Sequence, residues 1–156
     1  MTTLEQYADR VRQIAERFPD YEPWNSSLTY AAELLAYEIL PCRTLSLDEA
    51  RKWIAAVSAT EDIDAPDIER KRTRAGVLGA ACSSAHVVAY YSATVTQTTL
   101  LHELAHLLTP QANHGIEFRT CLVSLTRRHI SVEHGSLLHT LYTVCDQTAS
   151  WQITHK

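Results

Sequence analysis

Two histidines and a glutamate in one short segment could do chemistry together. In His102-Glu103-Leu104-Ala105-His106 the histidines stand four residues apart. On a helix that spacing brings both to one face, one turn apart. Their imidazoles can then share one zinc ion, and Glu103 between them can act as general base toward a metal-bound water. Eight residues past His106 comes His114, followed by Gly115, and it can supply a third nitrogen. Three protein ligands plus one water is the arrangement of a catalytic zinc site, whereas a structural site is closed by protein. The bare five-residue pattern arises by chance in about a few per cent of chains of this composition, so its context carries weight. The bland alternative is a buried helix with two hydrogen-bonded core histidines.

The third ligand has rivals. The connector Leu107 to Asn113 holds Pro110 and Asn113, so the chain can turn there. His114 then opens a second periodic run, in which Ile116, Phe118, Leu122, Val123 and Leu125 form the expected buried side. Glu117 lies one turn on from His114 and Cys121 another turn on, and a carboxylate or a thiolate can also bind zinc. His114 is the preferred ligand, with Glu117 and Cys121 kept open. A metzincin would need glycine three residues after the second histidine and another histidine three after that. Thr109 and Ala112 stand there, and Met1 is the single methionine, so no Met-turn exists.

These residues resemble a family. LLHELAHLL followed shortly by HGIEF is similar to the SprT-like zinc metallopeptidases, in which HExxH precedes a His-Gly pair and an aromatic residue. The short connector looks still closer to compact bacterial metallohydrolases that share HELAH and a nearby HGxEF. The likeness is clear over Thr98 to Leu125, faint over Val77 to Tyr91 and Ser131 to Tyr142, and absent from the first sixty residues. It implies a zincin-like peptidase fold with His102, His106 and His114 on zinc and Glu103 as the base. It also implies a strand beside the active-site helix that receives peptide as an added strand, for which Ala85 to Tyr91 is the candidate. The same segment reads equally well as an interior strand with no ligand role. Larger eukaryotic relatives act on DNA-trapped proteins through extra DNA-binding regions, and no obvious counterpart is present here.

The elements that must position these residues follow from periodicity. Thr94 to Leu108 is predicted as one helix, with Leu100, Leu101, Leu104, Leu107 and Leu108 as its apolar stripe. Thr94, Thr96 and Thr98 offer N-cap oxygens, and Pro110 stops it. Earlier helices are expected over Thr3 to Phe18, Asn25 to Leu40 and from Ser46 to about Ser58, the first and third opened by capping boxes Thr3/Gln6 and Ser46/Glu49. Their stripes are Leu4, Tyr7, Val11, Ile14 and Phe18; Leu28, Ala31, Leu35 and Ile39; and Trp53, Ile54 and Val57. Glu69 to Thr73 and Ala85 to Tyr91 read as extended, punctuated by Gly76 and Gly79. Ile116 to Arg128 and Val132 to Asp146 read as two further helices, the second weakened by Gly135, and Trp151 to Lys156 as a loose tail. The expected class is α+β: one compact zincin-like domain over 1–156, mostly helical, with a small sheet beside the active-site helix. Residues 1–60 would be a helical N-terminal part and 69–146 the catalytic core.

Composition bounds the rest. The chain has 156 residues, 46% hydrophobic and 21% charged, ordinary for a soluble globular protein. No apolar run is long enough to span a membrane, and the N-terminus lacks a secretory pattern, so the cytoplasm is the expected compartment. Cys42, Cys82, Cys121 and Cys145 form no metal-binding pairs and read as free, mostly buried thiols. A net charge of −4 argues against general nucleic-acid binding. The basic run Glu69 to Arg74 is read first as a solvated edge strand and second as a patch for an acidic partner.

The expected function is therefore a zinc-dependent hydrolase, first of all a peptidase, with peptide or protein as substrate. Tyr90, Tyr91, His134 and His139 are candidate donors to a developing oxyanion. Two alternatives stand beside it. One is a non-enzymatic binding module whose zinc is a fold staple closed by Cys121. The other is a metal-dependent amidohydrolase acting on a non-peptide substrate.

Overall fold

A computed structural model describes residues 1–18, 24–72 and 78–145. The elements in chain order are α1 (Leu4–Ala15), α2 (Trp24–Ile39), β1 (Thr44–Leu45), α3 (Leu47–Thr60), β2 (Asp67–Arg70), β3 (Gly79–Cys82), β4 (Val87–Tyr90), β5 (Val95–Thr96), α4 (Gln97–Leu108), α5 (Ile116–His129) and α6 (Val132–Thr143). The protein is thus mixed α and β, dominated by helix. Its contacts divide it into two units: Met1–Pro41 with Gln111–Lys156, and Cys42–Pro110.

In the first unit α1, α2, α5 and α6 pack together. Both capping-box bonds form at Thr3 and Gln6, so α1 begins where the sequence signals it. Its buried side is Ala8, Val11, Ile14 and Ala15, whereas Leu4, expected inside, is exposed in the first turn. α2 buries Leu28, Ala31, Ala32, Leu35 and Ala36. These small residues let neighbouring helices approach. α5 contributes Phe118, Leu122, Val123 and Leu125, and α6 contributes Leu138, Leu141 and Tyr142. Ile116 is exposed instead of buried, because it is the first residue of α5. At Gly135 α6 comes close to the backbone of α5. A Cβ there would stand 2.7 Å from Cβ and 2.9 Å from Cα of Arg127. The residue that weakens α6 by propensity is the one that lets it dock. The Tyr142 hydroxyl donates to Glu33 Oε1 at 3.1 Å. Burial, and then the Glu33 charge, push its pKa well above the ordinary value.

The second unit holds the strands. β4 is the middle of a three-stranded sheet, parallel to β2 (Asp67↔Val87 to Arg70↔Tyr90) and antiparallel to β3 (Gly79↔Tyr90 to Cys82↔Val87). β1 and β5 form a separate antiparallel ladder, Thr44↔Thr96 and Leu45↔Val95. α3, opened by the Ser46/Glu49 capping box, packs on β2, and α4 packs on β3. Two expectations change here. The segment Ala85 to Tyr91 is not placed to receive an added strand: β4 is hydrogen-bonded on both edges, and β3 is the outer strand against α4. The helix expected from Thr94 begins at Gln97, because Val95 and Thr96 are spent on the β1 ladder.

The basic run is engaged within its own surroundings. Arg70 Nε donates to the Ser92 carbonyl at 3.0 Å, and Lys71 pairs with Glu69 at 3.5 Å. Thr73, Arg74, Gly76, Asp146 and the tail Trp151 to Lys156 lie outside the described residues. All four cysteines are free, with Cys145 buried and Cys82 exposed. No helix among the described residues is long and apolar enough to cross a membrane.

Candidate metal centre

α4 is the helix that carries the chemistry. Thr96 caps it: its side chain accepts from the Thr99 backbone N–H at 3.2 Å. Gln97 ties its start to β1, since its Oε1 accepts from Arg43 N at 3.1 Å and its own N–H donates to Arg43 O at 3.0 Å. Leu100, Leu101 and Leu104 are fully buried and fix the rotation of the helix about its axis. That rotation, set by apolar packing, determines which way the intervening polar side chains point.

His102 and His106 converge. Their Nε2 atoms stand 3.1 Å apart and their ring centroids 4.8 Å apart. Two nitrogens bound tetrahedrally at about 2.0–2.1 Å from one zinc would be separated by roughly 3.3 Å, so the pair fits one ion. His102 is 3% exposed. Burial, and then the neighbouring His102, push the His106 pKa down to about 4. The His106 ring is therefore neutral at neutral pH, the form that binds a metal.

Glu103 is buried beside them, under β3. A Cβ on Gly79 would stand 2.9 Å from Oε1 and 3.0 Å from Cγ of Glu103. The backbone of the outer strand thus lies directly against the carboxylate. Tyr90, the cross-strand partner of Gly79, projects from the same sheet face. It is fully buried, and its hydroxyl has no hydrogen-bond partner among the described residues.

His114 belongs to the first unit, one residue before the Gly115 N-cap of α5. Its Nδ1 stands 3.1 Å from the Ser26 hydroxyl of α2. Tyr30 and Phe118 meet its ring edge-on at centroid distances of 5.0 and 4.9 Å. Arg119 Nη1 donates to its carbonyl oxygen at 2.6 Å from a buried position. A histidine restrained through Nδ1 presents Nε2 outward, the arrangement by which hydrogen bonds orient metal-ligating imidazoles.

His102 and His106 in the second unit, and His114 in the first, each offer a ring nitrogen that could serve a metal ion. Glu117 is exposed and Cys121 half-buried. His134, expected as a possible oxyanion donor, is tied up in structure: Ser131 Oγ lies 2.7 Å from Nδ1 and the Leu40 carbonyl 2.8 Å from Nε2. Sequence reasoning missed Ser26, Gly79 and Arg119. Gly79 had a faint signal, a glycine in an otherwise extended stretch, which often marks a close backbone approach.

No family model matches the chain, and neither the curated proteins nor the solved structures contain a match to it.

Proposed function

We propose that the protein is a zinc-dependent peptidase of the SprT-like kind with a zincin-like fold, with His102, His106 and His114 as metal ligands and Glu103 as general base. One observation carries the reading: two imidazole nitrogens 3.1 Å apart on one face of α4, one ring buried and the other half-buried, with a carboxylate on the residue following the first of them. Neutral imidazoles in this number suit zinc and leave a coordination position open. A zinc ion there would supply a Lewis acid that polarises the substrate carbonyl and acidifies a water.

The remaining steps belong to the chain itself. Glu103 takes the proton of the attacking water and delivers it to the leaving amine. Its burial under Gly79 holds the carboxylate in one place and excludes bulk solvent from it. Ser26 fixes the His114 ring through Nδ1. An extended peptide pairs with the outer edge of β3, so main-chain hydrogen bonds carry affinity and side-chain pockets add preference.

Glu103→Gln tests the assignment. The variant should fold, bind one equivalent of zinc as tightly as the parent within a few-fold, and lose at least about 10³-fold in cleavage of an unstructured protein such as casein. Retained cleavage by the zinc-loaded variant refutes the role of Glu103.

A further inference from the structure

α4 has a second, partly uncovered face. Leu107 is half-buried and Leu108 exposed, so the apolar stripe that buries Leu100, Leu101 and Leu104 is not fully covered at its C-terminal end. Leu107 and Leu108, with the buried Leu104 behind them, line a cavity of about 490 Å³, completed by Ala59 at the end of α3, by Asp62, Ile63 and Asp64 of the following loop, and by His86. That volume falls in the range of small-molecule sites. The lining divides cleanly: five aliphatic side chains form the walls, and two carboxylates and one imidazole form the polar part.

The polar part is built, not incidental. His86 Nε2 lies 2.8 Å from the Asp64 carbonyl oxygen, and Asp67 N donates to the His86 carbonyl at 3.1 Å. The β3–β4 turn is thereby fastened to the acidic loop. Asp62 and His86, both in the cavity lining, hold left-handed φ of +56° and +52°. Among the described residues, neither Asp62 nor Asp64 has a basic side chain within ion-pair distance. Among the described residues, no lysine or arginine lines the cavity. Two aspartates with no cationic partner among the described residues stand beside an aliphatic pocket, so the complementary ligand has an apolar body and a positive end.

We propose that this cavity binds a small organic ammonium compound, its hydrocarbon body against Leu104, Leu107, Leu108 and Ile63 and its ammonium group between Asp62 and Asp64. The volume exceeds what one lysine side chain fills, which favours a small molecule over a side chain of another protein. The site lies on the opposite side of α4 from the histidines, within the second unit, and does not depend on the metal reading.

The test titrates the full-length protein with hexylammonium, 1-hexanol and hexanoate at pH 8, following methyl resonances of Ile63, Leu104, Leu107 and Leu108 by NMR. Hexylammonium should bind at least about tenfold more tightly than the other two and shift those methyls together. The variant Asp62→Asn/Asp64→Asn should weaken hexylammonium roughly tenfold and leave hexanol unchanged. Both residues are exposed, and asparagine tolerates the left-handed backbone of Asp62, so the fold and zinc affinity should be unaltered. Equal binding of hexanol and hexylammonium overturns the proposal, as does an unchanged affinity in the double variant. Binding only of a lysine-containing peptide such as Ac-Lys-NHMe overturns it in favour of a protein side chain.

Discussion

Replacing Gly79 by alanine tests how Glu103 is held. The added Cβ would meet Glu103 Oε1 at 2.9 Å, Cγ at 3.0 Å and Cδ at 3.2 Å. Carbon atoms settle at about 3.5–4.0 Å, so the Cγ contact is short by roughly 0.5 Å or more. The carboxylate tip can swing away, but Glu103 is only 7% exposed and has little room to do so. Either the side chain leaves its rotamer or β3 lifts from α4. Overpacking of this kind costs about 1–3 kcal/mol, offset in part by the lower unfolded-state entropy of alanine, about 0.5–1 kcal/mol. A net loss of about 1–2 kcal/mol lowers Tm by roughly 2–8 °C in a chain of this size. The decisive assay is a double-mutant cycle by thermal or urea unfolding, with Glu103→Ala as the second change. Truncation removes Cγ, Cδ and Oε1, so Gly79→Ala should become nearly neutral there, giving a coupling of about 1–2 kcal/mol. In a peptidase assay the single variant should retain zinc but lose about 10–100-fold in turnover, since a displacement near 1 Å at a reacting group costs that much. An equal cost of Gly79→Ala in both backgrounds would refute the close approach of strand and carboxylate.

Three further outcomes are expected. Ser26→Ala removes the partner of His114 Nδ1 and should weaken zinc binding about 10–100-fold in a chelator competition, with helix content unchanged; an unaltered affinity would remove Ser26 from the metal site. The metal-free protein should lose stability as pH falls from 6.5 toward 4, because the His106 pKa is depressed from 6.5 to about 4 in the folded state and the unfolded chain therefore binds more protons in that window. With allowance for solvent screening the loss is about 1–2 kcal/mol, and it should vanish from the pH profile of His106→Gln. Gly135→Ala drives a methyl into the Arg127 backbone and should cost about 2–3 kcal/mol in urea unfolding despite the better helix propensity of alanine; a neutral result would show that α5 and α6 are farther apart than described.

The chain alone determined what depends on local periodicity and local hydrogen bonding. Histidines four apart on a helix must share a face, so the pairing of His102 with His106 was legible before any fold was known. The capping boxes at Thr3/Gln6 and Ser46/Glu49 were legible for the same reason, because both partners lie within one turn. What tertiary structure decided are contacts between residues far apart in sequence, for which no spacing rule exists. Ser26 reaches His114 across 88 positions. Gly79 meets Glu103 only because β3, and not the more strand-like β4, is the outer strand over α4. Sheet order follows from which strand buries both faces, and β4 does so with Val88 and Tyr90 on one face and Ala89 on the other. The apolar stripe of α4 was read correctly as a stripe. That its last turn is spent on a cavity, and not on the core, depends on where α3 and the acidic loop end, a property of the packed unit that no window of sequence contains.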